Sequence, residues 1–443
     1  MPTPNLLLLF SDQQRPDTMG CYGQALPTTP RLDRLAAEGV RFTDAFTNQP
    51  VCGPARATLQ TGRYPTEIGC WRNELALPPD EATLATLLGG AGYETMYVGK
   101  WHLAAAGAGP VPRERRGGYQ RWLASDLLEF TSHGHDGWMF DEHDRRVDFT
   151  GVRAHAVADA AVAMLRERDA TRPFFQMVSW IEPHHQNDRG RYEGPLGSRE
   201  RWGGYAAPAD LEPGVGDWQR EYPDYLGCVN AVDDGVGRIL DELARQGIAD
   251  DTLVIYASDH GNHFRTRNGE YKRSCHDASL RIPLIARGPG FAGGRTCPRF
   301  AATIDLAPTL LAAARVPLPP TLRGRPLQAA LTCAGWRDQG ACWRDEVVVQ
   351  ISESCVGRAL RDKRWTYGIV APDRDGWDHG DATLYREEFL YDCVADPAQR
   401  RNLVVDPSFA AVRANLAARL RARLTAIGEP PFAIVGAAVG AAS

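Results

Sequence analysis

A cysteine at the start of a predicted helix is the residue of this sequence best suited to carry out chemistry. Residues 52–56 read Cys-Gly-Pro-Ala-Arg. Pro54 lacks an N–H group and favours the first turn of a helix, so Cys52 would lie at the amino end of that helix. Unpaired backbone N–H groups at this position attract an anion. The segment by itself is equally compatible with a half-buried, unreactive thiol.

Two aspartates follow two unbroken apolar runs. Asp12 and Gln13 come after the first run, and Asp259 and His260 come after the second. Such runs predict strands buried on both faces, and side chains at the carboxyl ends of parallel strands gather at one edge of the sheet. Two carboxylates with an amide and an imidazole form a plausible site for a divalent cation. A single aspartate after a strand is usually a turn residue, but the repeated pattern favours the metal site.

Basic and imidazole side chains follow two further predicted strands. Lys100 and His102 come after one of these strands, and His184 and His185 come after the other. We expect all four residues at the same edge of the sheet as the aspartates. A histidine in this position can donate a proton near neutral pH.

The elements that position these residues predict an α/β fold with a large mixed, mostly parallel sheet flanked by helices. The predicted strands are 6–10, 93–98, 174–181, 253–257 and 282–286, and the predicted helices are 30–39, 80–89, 153–168 and 222–246. Past about residue 340 the pattern changes to antiparallel strands and one amphipathic helix, at 346–352, 359–369, 389–392 and 408–427. We therefore predict a catalytic domain over 1–340 and a small α+β carboxyl-terminal domain over 341–443.

Composition limits the classes of function. The chain has 443 residues, more than one hydrophobic core usually supports. Its net charge of −5 predicts no general attraction to nucleic acid or to an anionic membrane. The ten cysteines contain no Cys-x-x-Cys pair, which favours mostly reduced thiols. The amino end has only a short apolar run and no signal-peptide pattern, so we expect a cytoplasmic protein unless a leader was removed.

Several ordered motifs resemble the sulfatase family. Residues 52–56 resemble its signature Cys-x-Pro-x-Arg. Residues 92–95 and 99–102, Gly-Tyr-Glu-Thr and Gly-Lys-Trp-His, resemble its second signature. Leu-Tyr-Asp at 390–392, Asp-Pro at 396–397 and Asn-Leu at 402–403 resemble its carboxyl-terminal pattern. The resemblance extends from about residue 5 to residue 403, and it implies a formylglycine-dependent type I sulfatase of the alkaline phosphatase superfamily.

The resemblance implies a role for each reactive residue near the first two signatures. Cys52 would be oxidised by a formylglycine-generating enzyme to formylglycine, an aldehyde whose hydrate is the nucleophile. Arg56 would hold this residue in place. Lys100 would neutralise the sulfate oxygens, and His102 would help to release sulfate at the end of the reaction.

The resemblance also suggests the groups that act on the leaving oxygen. The family pattern Pro-His-x-Pro matches at 183–184 and fails at Gln186, which makes His184 the leaving-group acid and His185 the competing candidate. Lys272 would contact the oxygen being cleaved. Its segment matches a family stretch in which a lysine precedes Tyr-Glu, here replaced by His276 and Asp277.

By the same resemblance the metal ligands are Asp12, Gln13, Cys52 in its modified form, Asp259 and His260. The family usually binds calcium. Gln13 and His260 depart from the commonest ligands at their positions, and a nitrogen ligand shifts the preference toward borderline metals. We therefore expect Ca²⁺, with Mn²⁺ as the alternative.

The sequence thus predicts a sulfuric-ester hydrolase, of the arylsulfatase kind, acting on a small-molecule or carbohydrate sulfate ester. One alternative is a phosphonate monoester or phosphodiester hydrolase of the same superfamily. A second is a non-enzymatic, metal-stabilised binding protein in which Cys52 stays a thiol. The segment Trp71-Arg72-Asn73, together with Trp138 and Trp202, could line a sugar or aryl pocket, but the sequence does not choose between these substrates.

Overall fold

The apolar runs of the sequence form the strands of one large sheet. The structure, a computed structural model, describes residues 3–333 and 342–438. Within that part of the chain the large sheet has eleven strands. They are β1 (Asn5–Ser11), β2 (Val40–Phe46), β3 (Glu94–Lys100), β4 (Arg121–Ser125), β5 (Ser132–His133), β6 (Asp136–Asp141), β7 (Arg146–Thr150), β8 (Phe174–Ser179), β9 (Thr252–Ser258), β10 (Leu284–Arg287) and β11 (Arg295–Ala302).

The order of strands across this sheet is β11-β2-β10-β9-β1-β8-β3-β4-β6-β5, with β7 paired to β6. The central strands β9, β1, β8, β3 and β4 each run parallel to their neighbours in that group. Strand β10 is antiparallel to both β9 and β2, and β6 is antiparallel to β4. The predicted mixed, mostly parallel sheet is therefore confirmed.

Helices cover both faces of the sheet. The α-helices of the described residues are α1 (Pro30–Glu38), α2 (Cys52–Thr61), α3 (Leu84–Gly90), α4 (Leu128–Thr131), α5 (Arg153–Glu167), α6 (Ser198–Trp202), α7 (Trp218–Arg245), α8 (Asp277–Leu280), α9 (Leu306–Ala313), α10 (Leu327–Thr332) and α11 (Ala410–Ala426). None of these helices combines the length and the apolar character that crossing a membrane requires.

The unbroken apolar sequence of β1 follows from this layering. Leu6, Leu8 and Phe10 point into the layer that contains α2, α3 and α9. Leu7 and Leu9 point into the layer that contains α1, α5 and α7. Because successive strand side chains alternate between faces, a strand that is covered on both sides needs an apolar residue at every position. In β1 the sequence becomes polar where the strand ends, at Ser11 and Asp12.

A second sheet follows the first. Its strands are β12 (Glu346–Ile351), β13 (Gly357–Asp362), β14 (Trp365–Val370), β15 (Leu384–Asp392) and β16 (Ala433–Val435). The first four are antiparallel in chain order, and β16 lies parallel to β15. Helix α11 packs on this sheet through leucines that belong to its core.

The predicted boundary between the two domains lies in residues 334–341, outside the described residues, and stays a prediction. Cys333 and Cys342 on either side of this segment form a disulfide, with Cα atoms 6.0 Å apart. The other eight cysteines are free thiols.

The prediction of one strand over 359–369 is wrong. The segment forms the hairpin β13–β14, because the Asp362 carboxylate accepts the backbone N–H groups of Arg364 at 2.9 Å and Trp365 at 2.7 Å. A side chain that bonds to the backbone two and three residues ahead closes a turn. The flanking apolar residues conceal this turn in the sequence. Strands β2 and β11 were also not predicted.

Candidate active site

Four parallel strands deliver polar residues to one edge of the large sheet. Asp12 directly follows β1, and Asp259 directly follows β9. Ser11 and Ser258 are paired in the strand register, so the two aspartates start from neighbouring positions. The Asp259 N–H donates to the Ser11 carbonyl at 3.2 Å and extends this pairing. The expectation that these residues lie together is met by the geometry.

Cys52 lies against the two aspartates. It is the first residue of α2, and Val51 before it is extended. The Cys52 thiol donates to Asp12 Oδ1 at 3.4 Å, and its Sγ lies 3.3 Å from His260 Nε2. The side chain is buried. The fold therefore places the start of α2 at the carboxyl ends of β1 and β9, which is where open α/β sheets usually bind their ligands.

Four side chains have the donor atoms of a metal site. Ligand atoms of Asp12, Cys52, Asp259 and His260 all lie within 4.8 Å of one another, and all four residues are buried. His260 Nε2 lies 3.6 Å from Asp12 Oδ1 and 3.5 Å from Asp259 Oδ1. His260 Nδ1 lies 2.9 Å from the Gly261 carbonyl, an arrangement that protonates Nδ1 and leaves Nε2 as a free ligand atom.

Two further observations show that this group fits a cation. Burial and the charge of Asp12 raise the pKa of Asp259, because two buried carboxylates held close together oppose each other's ionisation. Gln13 is also buried, and in the described part of the chain its Oε1 has no hydrogen-bond partner. A buried amide oxygen without a partner is costly unless something outside the chain binds it. Gln13 has a positive φ of 68°.

Arg56 forms ion pairs with the carboxylates of both Asp12 and Asp259. It lies four residues after Cys52, one helical turn further along the same face of α2. Its Nη2 lies 3.1 Å from Asp12 Oδ2 and 3.3 Å from Asp259 Oδ2. Its Nη1 donates to the Lys100 carbonyl at 3.0 Å and to Ser179 Oγ at 2.6 Å. One guanidinium thus links the ends of four strands to the cysteine helix.

Lys100 forms a second buried cation at the site. Its Nζ lies 2.9 Å from Asp12 Oδ2 and 3.2 Å from Glu129 Oε1. Burial alone would lower the pKa of Lys100, but the two carboxylates outweigh it and raise that pKa. The preceding Gly99 has a φ of 107°, and a Cβ there would lie 2.0 Å from the Ser179 carbonyl oxygen. Only glycine allows β3 to pass β8 this closely and present the lysine.

Lys272 and His184 lie on the other side of Cys52. Lys272 Nζ is 2.9 Å from Cys52 Sγ and 2.9 Å from His184 Nε2. Burial and the Lys272 charge lower the pKa of His184 to about 4. His185 turns away and stacks on Tyr271, with ring centroids 4.4 Å apart. The structure therefore brings His184, and not His185, to the cysteine.

His102 completes the group around Cys52. Its backbone φ is 59°, and its N–H donates to the Asp126 carbonyl at 2.9 Å. Its side chain is one of the groups that lower the pKa of Cys52. Burial alone would raise the pKa of the Cys52 thiol, but Lys272, Lys100 and His260 outweigh burial and hold that pKa well below its usual range. The position of residue 52 therefore stabilises negative charge.

Some residues of the site have no signal in the sequence. Glu129 lies in the four-residue helix α4 and pairs with Lys100. Asn73 accepts the Gly53 N–H at 2.9 Å through its side chain. Glu129 lies in a segment without regular periodicity, and the sequence offers Asn73 only as a candidate for a substrate pocket, so only the folded structure identifies these two contacts.

Other predicted features lie away from Cys52. His276 Nε2 lies 3.1 Å from the Tyr391 hydroxyl, and Asp277 pairs with Arg361 at 2.8 Å, so both face the second sheet. Trp202 is buried in an aromatic cluster with Tyr192 and is not an exposed pocket wall. Trp138 packs under the Arg146 guanidinium, and Trp71 packs beside Arg72.

Known proteins match the chain over nearly its whole length. The family model described as Sulfatase matches residues 4–316, and that described as N-sulphoglucosamine sulphohydrolase, C-terminal, matches residues 269–426. The Ulvan-active sulfatase of Formosa agariphila is 29% identical over 448 residues, which cover 96% of this chain and 82% of that protein.

Solved structures share the fold. One is described as a complex with its substrate, D-glucosamine-2-N,6-O-disulfate; it is 23% identical, has a TM-score of 0.78, and the match covers 96% of this chain and 98% of the other. The phosphonate monoester hydrolase of Agrobacterium radiobacter is 23% identical with a TM-score of 0.73, and the match covers 96% of each chain. The family models and the curated relative show an enzyme and not a non-enzymatic binding protein. The chain belongs to the sulfatase family, and it is an enzyme that hydrolyses sulfate esters.

Proposed function

We propose that this sulfatase works through a formylglycine made from Cys52 and through a divalent cation held beside it. The observation that carries the proposal is the position of Cys52. Its Sγ lies within 3.4 Å of both Asp12 and His260 on one side, and 2.9 Å from Lys272 on the other. A nucleophile between a cation site and a basic pair is the arrangement that attack on an anionic ester requires.

The proposed cation site has five ligand residues and one residue, Arg56, that positions two of them. Asp12, Gln13, Asp259 and His260 supply carboxylate, amide and imidazole ligands, with residue 52 as the fifth. When bound, the cation would supply positive charge at the sulfate oxygens. Ca²⁺ suits the oxygen ligands, and Mn²⁺ is the alternative because of the imidazole. Arg56 keeps both aspartates in position through their Oδ2 atoms.

Formylglycine at position 52 would supply, as its hydrate, a hydroxyl nucleophile for sulfur. A formylglycine-generating enzyme would make it during maturation. Lys100 is held by Asp12 and Glu129 and contributes charge at the sulfate oxygens. His102 is close enough to residue 52 to help lower the pKa of the thiol, and we assign it the removal of the proton that accompanies sulfate release.

Lys272 and His184 act on the departing oxygen. Lys272 Nζ lies 2.9 Å from His184 Nε2 and 2.9 Å from Cys52 Sγ. Lys272 contacts the ester oxygen and stabilises its growing charge. We assign His184 the proton that converts this oxygen into an alcohol or a phenol; burial and Lys272 lower its pKa to about 4 in the free site, so this role requires the negative charge of the bound sulfate ester to raise that pKa.

The proposed substrate is a small-molecule or carbohydrate sulfate ester. The named substrate of the structural neighbour, a doubly sulfated glucosamine, supports a sugar, although the likeness to that protein is one of fold. An assay of matched esters tests the choice: 4-nitrophenyl sulfate, glucosamine 6-sulfate, bis(4-nitrophenyl) phosphate and 4-nitrophenyl phenylphosphonate. We expect the sulfates to be hydrolysed with the highest kcat/KM. A higher kcat/KM for the phosphonate or the phosphodiester would replace the proposal by the alternative hydrolase.

A further inference from the structure

A turn of the second sheet reaches into the surroundings of the active site. Residues 352–354, between β12 and β13, contact the large domain through three consecutive side chains. Gln49 Nε2 donates to Ser352 Oγ at 2.7 Å, and the Ser354 hydroxyl donates to the Arg273 carbonyl at 2.7 Å. Glu353 lies between these two contacts, and its side chain is completely buried.

Glu353 binds two separate segments of the large domain. Its Oε1 accepts the Asn73 backbone N–H at 2.7 Å. Its Oε2 lies 2.5 Å from Arg273 Nη2. A buried carboxylate that accepts a hydrogen bond at one oxygen and forms an ion pair at the other is restricted to one orientation and restricts its partners.

Both partners of Glu353, Asn73 and Arg273, are linked to residues that lie beside Cys52. The Asn73 side chain accepts the Gly53 N–H at 2.9 Å, and Gly53 follows Cys52 in the chain. Arg273 follows Lys272, whose Nζ lies 2.9 Å from Cys52 Sγ. Glu353 therefore connects the Asn73–Gly53 contact at the start of α2 with Arg273, the residue after the lysine, in addition to the bond from the Arg273 N–H to the Pro50 carbonyl at 3.2 Å.

The two residues of this ion pair, Glu353 and Arg273, also have unusual backbone conformations. Glu353 has a φ of 67° and Arg273 a φ of 66°, in the left-handed region that such residues rarely adopt. Two neighbouring residues in this conformation, joined by an ion pair, indicate that the surrounding contacts require their positions. Strain of this kind is concentrated at sites where geometry matters for function.

We propose that Glu353 is a positioning residue of the sulfatase reaction, which sets the location of Lys272 relative to residue 52 through Arg273 and Asn73. It does not touch the substrate. The carboxyl-terminal sheet thereby takes part in catalysis by supplying the anchor of the leaving-group lysine. This inference rests on the proposed function, because it assigns Lys272 to the departing oxygen.

A series of aryl sulfates separates this role from a merely structural one. If Lys272 is displaced, esters with poorly departing phenols lose more than esters with readily departing ones, because they depend more on help at the leaving oxygen. The measurement is kcat and KM for 4-nitrophenyl, phenyl and 4-methylphenyl sulfate, normalised to the fraction of residue 52 converted to formylglycine by peptide mass.

The variants are Glu353→Gln, which keeps the shape and an acceptor but loses the charge, and Arg273→Gln, which breaks the same pair from the other side. We expect kcat to fall about tenfold or more for 4-methylphenyl sulfate and by less than about threefold for 4-nitrophenyl sulfate, with little change in KM. The double variant should lose no more than either single variant, because both break one interaction.

Glu270→Gln is the matched control. Glu270 also pairs with Arg273, at 3.3 Å, but its side chain is 52% exposed and the structure gives it no bond to Asn73. This variant should leave the whole series unchanged.

An equal loss for all three esters, or no loss in either variant, would overturn the positioning role. If the enzyme without substitutions, with residue 52 converted to formylglycine, hydrolyses phosphonates and not sulfates, the proposed function fails instead. The same comparison can then be made with aryl phosphonates, so the two failures are distinguishable.

Discussion

Arg56 provides the sharpest test of how this site is held together. Its side chain is 1% exposed, and it links Asp12, Asp259, Lys100 and Ser179. Removing one partner of a buried ion pair leaves the other charge unpaired and costs about 3–5 kcal/mol. In the absence of metal, Arg56→Ala leaves two adjacent carboxylates without this cation, so we expect a loss of about 4 kcal/mol in the free energy of unfolding.

This loss converts to a temperature shift. Unfolding entropies near 60 °C are about 2.1 cal/mol/K per residue, so a unit of roughly 300 residues unfolds with about 0.6 kcal/mol/K. The expected fall in Tm is then about 6 °C. The assay is thermal unfolding followed by tryptophan fluorescence in a chelator. Adding Ca²⁺ should reduce the deficit, because a cation between the aspartates replaces part of the lost charge.

Arg34→Ala is the control for this measurement. Arg34 pairs with Glu38 at 2.8 Å, but its side chain is 75% exposed. An exposed pair of this type contributes little, so its removal should change Tm by less than about 1 °C. A fall of less than 2 °C for Arg56→Ala, by the same entropy, or a deficit that Ca²⁺ leaves unchanged, would refute the view that Arg56 and a cation share the two carboxylates.

Three further outcomes follow from particular residues. Gly99→Ala should lower Tm by about 2–5 °C, because a Cβ at this positive φ would meet the Ser179 carbonyl at 2.0 Å; an unchanged Tm would contradict the close approach of β3 and β8. Burial raises the pKa of Asp233 to about 7, above the ordinary value near 3.9, so the folded state keeps this proton longer and loses stability as pH rises from about 4 to about 7. Asp233→Asn should remove the fall of Tm with rising pH over this window. The same dependence of Tm on pH in the variant would be evidence against the raised pKa of Asp233. A chelator should lower the Tm of the unaltered protein more than that of Asp259→Asn, which lacks one proposed ligand; equal shifts would argue against Asp259 as a ligand.

Much of the site could be predicted because strand ends are visible in the sequence. The runs before Asp12 and Asp259 are apolar at every position, which is typical of central parallel strands, and parallel strands bring their carboxyl ends to one edge. Pro54 likewise indicated a helix start at Cys52, and α2 begins there. Apolar runs of this kind usually form central strands, and a proline near the start of a segment usually marks the first turn of a helix, so these local patterns were sufficient.

The parts that could not be predicted depend on contacts between distant segments. Glu129, Asn73 and Glu353 reach the site from short helices, loops and turns, whose sequences carry no periodicity. The turn at Asp362 was missed because one side-chain bond reverses the chain within an otherwise strand-like run. The choice between His184 and His185 also required the fold, since neighbouring residues point in different directions and only packing on Tyr271 removes His185 from the site.

The mass of the tryptic peptide 42–56 tests the central claim most directly. It should be measured on protein produced together with a formylglycine-generating enzyme, and hydrolysis of 4-nitrophenyl sulfate should be measured on the same sample. We predict the mass of a peptide in which the CH₂SH of residue 52 has become CHO, activity in proportion to the converted fraction, and neither result in Cys52→Ala. An unmodified thiol in protein that hydrolyses the sulfate at full rate would contradict the account.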